Sequence, residues 1–441
     1  MSRRPALPGG PYLVVGLARS GIAAALLLHA RGERVIALDA GTPDVERLRA
    51  AGVEVHLDGP GTDFVSDQRT LVKSPGVPHS APVVAAARER GLPVLGEVEL
   101  SWSLLPNEFI AVTGTNGKTT TTELLGHVHR TAGLPVAVAG NVGTAVASLV
   151  GALEPAATVV CETSSYQLED TLAFAPEAAL LLNVTPDHLD RHGTFEAYRD
   201  AKLEAFRRQD SGDVAVTSTA LAELLPGRAR RVTFGTVADG ATIALHPDGA
   251  ITWEGAPLIA SEEIRIRGPH NRENAMAAAG VALARGIEPD AVREALRTFA
   301  GVAHRLEPIR ELDGVAYVND SKATNVDATQ VALRSFAPHT VHLIAGGVPK
   351  AQDFTPLAPL VAERCAAVYL IGEGAQEIAA AWEPAGVPMF DARDMAGALL
   401  AARAASQPGE TVLLSPACAS FDQYENFEAR GDHFRRLVEE A

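Results

Sequence analysis

Short apolar runs alternate with longer stretches of helical period along nearly the whole chain. The runs YLVVG, RVIALD and FIAVTG are typical of buried strands, and SGIAAALLLHARG between the first two is typical of a helix. The same alternation returns in VAYVND, VHLIAGG, AVYLIG and TVLLSP in the last third of the chain. Strands that alternate with helices predict parallel sheets covered by helices, so we expect an α/β fold.

Breaks in this pattern divide the chain. Its 441 residues exceed what one hydrophobic core supports, so several domains are expected. Pro106 and Asn107 interrupt the apolar pattern before FIAVTG, and the Gly- and Asp-rich stretch 232–255 predicts short hairpins rather than strand–helix units. We therefore predict three α/β domains, the central one with a small β insert, at 1–104, 105–301 and 302–441.

Charge and cysteine content exclude several classes of protein. The net charge of −16 argues against nucleic acid or an anionic membrane surface as a partner. Cys161, Cys365 and Cys418 are far apart and odd in number, so neither a disulfide framework nor a zinc site is expected. We expect no signal peptide, and the sequence has no apolar run of the roughly 18 residues that a membrane span needs. We expect a cytoplasmic protein without an integral membrane segment.

The strongest local signal is AVTGTNGKTTTTELLGHV. A strand is predicted to end at Thr113 and a helix to begin near Lys118, so the glycine-rich loop between them and the first helical amides predict a phosphate cradle. Lys118 would supply a point charge and Thr119 would reach Mg²⁺. Val112 stands where the complete P-loop pattern has glycine, and an ordinary Gly-rich turn is the structural alternative. The predicted ATP contacts here are Gly114, Thr115, Asn116, Gly117, Lys118, Thr119 and Thr120.

A second glycine motif lies near the N-terminus. VVGLARSGIAAALLL has Gly16 and Gly21 but Ala18 at the middle position of a dinucleotide fingerprint, and Asp39 follows the next predicted strand. NAD, another nucleotide or no nucleotide remain open for this domain. The stretch VKSPGVP could shape the same cleft or form a plain Pro-Gly turn.

Polar residues follow several of the central apolar runs. Asn141, Glu162 and His188 are each expected near the carboxyl end of a parallel strand, where ligands of open sheets collect. Glu and His there would suit a Mg²⁺ that bridges phosphate oxygens. Their structural alternatives are a turn residue, a surface acid and a helix cap. Lys202 lies on a helix that Thr194 can cap, and its position alone indicates a solvated lysine.

Seven separated motifs resemble the Mur ligase family in order and spacing. They are GTNGKTTTTELL, CETSSYQLE, NVTPDHLDRHGTFEAYRDAK, GPHNRENAMAA, AHRLE, NDSKATN and SPACASFDQYENFEARG. The last two are similar to those of the member that adds D-glutamate. The resemblance covers essentially the whole chain. It implies a Rossmann-like UDP-binding N-terminal domain, a central P-loop-type ATPase domain and a Rossmann-like C-terminal domain that closes over ATP and the amino acid.

The resemblance also implies an activity. It is that of an ATP-dependent amide ligase that adds D-glutamate to UDP-N-acetylmuramoyl-L-alanine through an acyl phosphate, in cytoplasmic synthesis of peptidoglycan precursors. The implied partners are these two substrates and ATP, the implied cofactors are two Mg²⁺ ions, and a monomer is expected. Lys202 is implied to be carbamylated.

Residue roles follow from the resemblance by position. Lys118 would hold the β- and γ-phosphates, Thr119 and Glu162 one Mg²⁺, and His188 with carbamylated Lys202 the second. Further contacts to ATP or the acyl phosphate would come from Asn271, Arg305, Asp320 and Lys322. D-glutamate would be held by Lys322, Thr324, Lys350, Ser420 and the backbone of Phe427. The UDP-linked substrate would contact Gly16, Leu17, Asp39, Ser74, Pro75, Gly76, Asn141 and His188. Ala18, Ala40 and Gly41 depart from the family, which usually has polar side chains near the uracil.

Rival functions come from three classes. One is another amide ligase of the same fold, such as a folylpolyglutamate synthetase, against which NDSKATN and SPACAS argue. The others are an NAD-dependent oxidoreductase and a non-catalytic nucleotide-binding module. A serine hydrolase is disfavoured because no G-x-S-x-G elbow is present.

Overall fold

The computed structural model describes residues 4–349 and 352–441. The chain forms two compact units, Met1–Phe299 and Ala300–Ala441, and its strands form three sheets. Seven short 3₁₀ helices lie between the main elements, at Thr62–Asp67, Val146–Leu149, Thr219–Leu224, Val237–Asp239, Ser261–Glu263, Thr355–Leu357 and Glu383–Ala385.

The first sheet is parallel and five-stranded, in the order β3-β2-β1-β4-β5. Its strands are β1 Tyr12–Val15, β2 Val35–Leu38, β3 Glu54–His56, β4 Thr70–Lys73 and β5 Val94–Gly96. Its helices are α1 Arg19–Ala30, α2 Glu46–Ala50, α3 Pro82–Glu89 and α4 Glu97–Leu104. Successive residues of β1 pack into different core clusters, Val14 into one and Leu13 into the other. Both faces are therefore buried, which is why β1 reads as a continuous apolar run.

The central sheet has nine strands in the order β14-β13-β12-β11-β10-β9-β6-β8-β7. Its strands are β6 Phe109–Thr113, β7 Val136–Gly140, β8 Thr158–Glu162, β9 Ala178–Leu181, β10 Val214–Ser218, β11 Arg230–Thr236, β12 Ile243–Leu245, β13 Ala250–Trp253 and β14 Ala256–Ala260. Its helices are α5 Lys118–Thr131, α6 Ser165–Leu168, α7 Leu189–His192, α8 Phe195–Arg207, α9 Pro269–Ala284 and α10 Pro289–Thr298. Strand β6 lies between β8 and β9, so the loop that follows it opens beside the ends of both.

The insert differs in one respect from the prediction. Antiparallel pairs β12–β13 and β13–β14 confirm the short hairpins, but β12 pairs in parallel with β11. The insert therefore extends the central sheet instead of forming a separate one, because Phe234 and Ile243 supply buried apolar side chains that continue its core.

The second unit contains a six-stranded sheet in the order β15-β16-β20-β17-β18-β19, parallel except for the antiparallel pair β15–β16. Its strands are β15 Glu307–Leu312, β16 Val315–Asn319, β17 Val341–Gly346, β18 Cys365–Ile371, β19 Met389–Arg393 and β20 Thr411–Leu414. Its helices are α11 Val326–Leu333, α12 Ala358–Arg364, α13 Ala375–Trp382, α14 Met395–Ala405 and α15 Phe427–Glu439.

The three sheets confirm the predicted α/β class, and each strand named from the sequence is present. Across the described residues, no helix combines the length and apolar character needed to cross a membrane. All three cysteines are buried, and none of them forms a disulfide, as the sequence predicts.

Candidate functional site

The glycine-rich loop joins β6 to α5 at the carboxyl edge of the central sheet. Gly117 precedes the helix with φ +84°, a left-handed conformation that glycine adopts without strain. A Cβ atom at Gly117 would lie 2.3 Å from Asn274 Oδ1 on α9, so only glycine fits there. Helix α5 begins at Lys118, as predicted, and the amides of its first turn lack intrahelical acceptors. The arrangement can bind phosphate.

Two lysines share one carbonyl of this loop. Lys118 Nζ donates to the carbonyls of Gly114 and Thr115 at 2.9 Å each, and Lys202 Nζ donates to the same Gly114 oxygen at 2.9 Å. Lys202 is only 2% exposed, so the interpretation of a solvated helical lysine is wrong. Burial, and secondly the charge of Lys118, lower the pKa of Lys202 to about 7.

Asn183 holds the loop in place, a role that the sequence interpretation missed. Its Oδ1 accepts from the amides of Thr115 at 3.1 Å and Asn116 at 2.9 Å, and its Nδ2 donates to the Asn116 carbonyl at 3.1 Å. Asn183 is the second residue after β9 and Asn141 is the first after β7, so both lie near the carboxyl end of a parallel strand. The rule that selected Asn141 would therefore have found it.

Glu162 and Asn141 meet at the next strand ends. In the register of the sheet Glu162 lies opposite Val112 on β6 and Gly140 on β7. Asn141 Nδ2 donates to Glu162 Oε1 at 3.0 Å, and the Asn141 amide donates to the Glu162 carbonyl at 2.9 Å. Glu162 is 3% exposed, so the alternative of a surface acid is wrong. Thr119, the second residue of α5, is also buried.

His188 and Lys202 flank the ring of Tyr198. The ring centroid of Tyr198 lies 6.1 Å from that of His188 and 4.4 Å from Lys202 Nζ. His188 caps α7 with φ +52°, and its side chain is 47% exposed, so it can reach a ligand. The Tyr198 hydroxyl lies 3.0 Å from Thr115 Oγ1, and burial raises the pKa of this phenol to about 12. Tyr198 thus connects the phosphate loop with both candidate metal ligands, and sequence reasoning did not select it.

Asp39 joins two loops at the carboxyl edge of the first sheet. Its Oδ2 accepts from the Leu17 amide at 2.6 Å, and its Oδ1 accepts from the Gly41 amide at 2.8 Å. Gly16 adopts φ +88°, and a Cβ there would lie 2.6 Å from Val77 Cγ2. The structure therefore brings together Gly16, Leu17 and Asp39, although their uracil contacts stay a prediction.

The turn after β4 lies against the same loop. Ser74 Oγ is 3.1 Å from Ser20 Oγ on α1, and Pro75 and Gly76 follow. Arg19 Nη2 donates to the Asn141 carbonyl at 3.3 Å, which connects this edge to the central sheet. These contacts link the Gly16–Leu17 loop, Ser74 and Asn141 within the first unit.

Asn271 lies on the first turn of α9, close to the phosphate loop. Its Oδ1 accepts from Asn274 Nδ2 at 3.2 Å, and Asn274 is the residue that packs against Gly117. A cavity of about 450 Å³ lies nearby. Its walls are Thr236, Val237, Ala238, Leu245, His246, Pro247, Gly249 and Arg272. The cavity belongs to the insert and adjoins Asn271 through Arg272, and the phosphate loop does not line it.

In the second unit, Asp320 follows β16 and is buried. Its Oδ2 accepts from Ser415 Oγ at 2.8 Å, and its Oδ1 accepts from the Leu306 amide at 3.1 Å. Burial raises the pKa of this carboxyl to about 7, against the opposing effects of these hydrogen bonds and of Arg305. Arg305 lies near enough to act on Asp320 electrostatically.

The remaining predicted residues of this unit surround a buried guanidinium. Arg430 donates to the carbonyls of Ser321 at 2.9 Å, Cys418 at 3.0 Å and Ala419 at 3.3 Å. Ser321 Oγ donates to the Phe427 carbonyl at 2.8 Å. These bonds hold together three segments with predicted D-glutamate contacts, namely Lys322 with Thr324, Ser420, and Phe427. Lys350 lies outside the described residues.

Family models match most of the chain. The model of the Mur ligase MurD-like N-terminal domain matches residues 11–96, that of the Mur ligase middle domain 112–282, and that of the Mur ligase glutamate ligase domain 304–418.

Named relatives are similar over nearly their full length. The UDP-N-acetylmuramoylalanine–D-glutamate ligase of Acidobacterium capsulatum is 42% identical over 98% of this chain and 96% of its own. The ligase of the same name from Salinibacter ruber is 43% identical over 97% of each chain.

Solved structures share the fold at lower identity. The UDP-N-acetylmuramate-alanine ligase of Thermotoga maritima has a TM-score of 0.60 at 21% identity, covering 98% of this chain and 99% of its own. The MurF ligase of the same organism, solved in complex with ADP, has a TM-score of 0.58 at 17% identity, covering 99% and 96%.

Proposed function

Because this chain belongs to the Mur ligase family, we propose that it uses ATP to join D-glutamate to UDP-N-acetylmuramoyl-L-alanine in peptidoglycan precursor synthesis. The observation that carries this proposal is the phosphate loop with Lys118 and buried Lys202, in a chain over 40% identical to ligases of that name. Other amide ligases of the fold are similar at the level of the fold alone.

The proposed reaction has two steps. The carboxylate of the substrate's L-alanine attacks the γ-phosphate, which yields an acyl phosphate and ADP. The neutral amine of D-glutamate then attacks the acyl carbon, and the amide forms as phosphate leaves. Phosphoryl transfer depends chiefly on positioning and charge neutralisation. Lys118 turns from its loop carbonyls to the β- and γ-phosphates, while the first amides of α5 bind phosphate oxygens.

Two Mg²⁺ ions are part of the proposal, and the residues present fit them. Glu162 is a buried carboxylate that accepts from the Asn141 side chain, and a carboxylate oxygen is the hard ligand that Mg²⁺ prefers. With Thr119 it would hold one ion, and His188 with Lys202 would hold the other. When bound, the ions neutralise phosphate oxygens and fix the line of attack.

Lys202 would serve that site as a carbamate. An ammonium there repels both Lys118 and a metal, whereas a carbamate carries negative charge and offers hard oxygen ligands. The lowered pKa of Lys202 supports this, since only a neutral amine reacts with CO₂.

Other predicted residues would contact the UDP-linked substrate, ATP and D-glutamate. Gly16, Leu17, Asp39, Ser74, Pro75, Gly76, Asn141 and His188 would contact the UDP-linked substrate. Asn271, Arg305, Asp320 and Lys322 would contact ATP or the acyl phosphate. The carboxylates of D-glutamate would be held by Lys322, Thr324, Lys350, Ser420 and the backbone of Phe427. We propose that the enzyme is cytoplasmic and acts as a monomer.

Phosphate release tests the proposed function. The protein is given ATP, Mg²⁺ and UDP-N-acetylmuramoyl-L-alanine with D-glutamate, L-glutamate, L-alanine or a diamino acid in turn, and a pteroate acceptor replaces the UDP-linked substrate in a parallel series. Phosphate release that requires both the UDP-linked substrate and D-glutamate supports the proposal. Release with the pteroate acceptor alone, or with another amino acid only, refutes it.

A further inference from the structure

An ion-pair network lies directly behind the Ser74–Gly76 turn. The side chain of Lys73, the last residue of β4, is completely buried, and its Nζ lies 2.7 Å from Asp170 Oδ2. The same Nζ donates to the carbonyl of Val77 at 2.8 Å. Asp170 Oδ1 lies 2.8 Å from His79 Nε2, which follows the turn. Both ends of the turn are thus tied to one carboxylate in the turn that follows α6.

Arg191 reaches the same turn from the other side. Its Nη2 donates to the Val77 carbonyl at 3.0 Å and to Glu169 Oε1 at 2.6 Å, and lies 3.5 Å from the Pro75 carbonyl. Its guanidinium carbon lies 4.8 Å from the ring centroid of Tyr166. Arg191 belongs to α7, the short helix that His188 caps. One side chain therefore connects the turn to the helix of a candidate metal ligand.

A metal ion is a poor explanation for this cluster. Ligand atoms of His79, Glu169 and Asp170 do lie within 4.8 Å of one another. Both carboxylates are already paired with cations, however, Asp170 with Lys73 and Glu169 with Arg191. The charges balance without an ion, and a divalent cation would lie among two positive side chains. We therefore interpret the network as a set of contacts that holds the turn after β4 in place, and not as a metal site.

The small number of lysines in the chain also associates Lys73 with the proposed active site. The chain contains five lysines against 33 arginines. The other lysines are Lys118, Lys202, Lys322 and Lys350, and each has a predicted role in the active site.

We propose that Lys73 and Arg191 are positioning residues for the UDP-linked substrate. By donating together to the Val77 carbonyl they hold the Ser74–Val77 turn against α7, so that the bound diphosphate and the reacting carboxylate keep a constant separation. Charge-assisted hydrogen bonds of this kind are short and strong, and such paired donors make the turn stiff. Neither side chain needs to touch the substrate. The inference rests on the proposed function, which assigns the turn to the substrate diphosphate.

Arg191→Ala and Arg191→Lys test the inference in the full-length enzyme. Kinetics are measured separately for UDP-N-acetylmuramoyl-L-alanine, ATP and D-glutamate. Arg191→Ala is expected to raise KM for the UDP-linked substrate about tenfold or more, as the loss of a charge-assisted bond does, with KM for ATP and D-glutamate within about twofold of wild type. Arg191→Lys should raise KM for the UDP-linked substrate less than Arg191→Ala does, since lysine keeps the positive charge but lacks the planar guanidinium with its several donors.

The control is Arg297→Ala, because Arg297 pairs with Glu263 at 2.6 Å on an exposed surface. It should change none of the three KM values. Lys73→Met should also raise KM for the UDP-linked substrate, provided that a cooperative thermal transition shows the variant to be folded. If it does not fold, the Arg191 variants alone test the inference. The inference is overturned if Arg191→Ala leaves KM for the UDP-linked substrate unchanged, or raises the KM values for all three substrates equally. In either case, turnover by the wild-type enzyme would still support the proposed function. A wild-type protein that does not turn over this substrate overturns both.

Discussion

Replacement of Lys202 by methionine should stabilise the protein and abolish its activity. The change keeps the length of the side chain and removes a charge that is 2% exposed and lies beside Lys118. Burial first, and Lys118 second, lower the pKa of Lys202 from 10.5 to about 7. At pH 7.5 about three-quarters of these side chains are then neutral, against about one in a thousand at the usual value.

The lowered pKa of Lys202 also gives the free energy by which its charge destabilises the folded protein. A depressed lysine pKa means that the folded protein disfavours the charged form, so the unmodified side chain destabilises the fold. The penalty is about 5 kcal/mol below pH 7, about 4 kcal/mol at pH 7.5, and vanishes as the pH rises towards 10.5. Lys202→Met removes this penalty, so its thermal midpoint at pH 7.5 should lie several degrees above that of wild type in buffer freed of CO₂.

Carbamate formation would relieve the penalty in another way. Wild type should therefore gain thermal stability and turnover when bicarbonate is restored, and Lys202→Met should gain neither. Carbon-13-labelled bicarbonate should give a carbamate signal in wild type that is absent from the variant. Turnover by Lys202→Met and Lys202→Ala should fall by about 100-fold or more, as for other groups that organise transition-state charge. A short carboxylate should partly restore Lys202→Ala, whereas Lys202→Arg should stay inactive.

Three results would refute this reasoning. Near-normal turnover of Lys202→Met would show that the amine takes no part in the reaction. A thermal midpoint of Lys202→Met below that of wild type in CO₂-free buffer would show that contacts of the buried ammonium stabilise the fold more than its lowered pKa indicates. A wild-type enzyme that is fully active without CO₂ and takes up no label would exclude the carbamate.

The phosphate loop and the amino-acid site give three further predictions. Lys118→Ala should reduce turnover by about 100-fold or more while the protein remains folded, and near-normal phosphate release would contradict the nucleotide assignment. Gly117→Ala should weaken ATP binding and lower the free energy of unfolding by about 1 kcal/mol or more, because the new Cβ would lie 2.3 Å from Asn274 Oδ1 and the residue has φ +84°. ATP titration measures the first effect and thermal melting the second. Wild-type values in both would contradict the loop geometry. D-glutamate should be used at least about 100-fold faster than L-glutamate, because inversion leaves buried polar groups unpaired, and equal rates would refute this.

Local pattern alone was enough for much of this protein. The α/β class, the strands and the helix start at Lys118 were predictable because hydrophobic period and glycine-rich loops act over a few neighbouring residues. The predicted cap of α8 is also confirmed, since Thr194 Oγ1 accepts from the Ala197 amide at 3.1 Å. Seven motifs in order sufficed for the family.

Only the tertiary structure decided which polar residues meet. The order β9-β6-β8-β7 brings Asn183, Glu162 and Asn141 to one edge, although they come from separate parts of the chain. The burial of Lys202 depends on α8 packing against the loop, so a pattern that favoured a solvated lysine could not reveal its lowered pKa. The pairing of Arg191 with the turn after β4 likewise joins residues more than a hundred positions apart. Local pattern contains no information about such contacts, because they arise from how the sheets and helices pack.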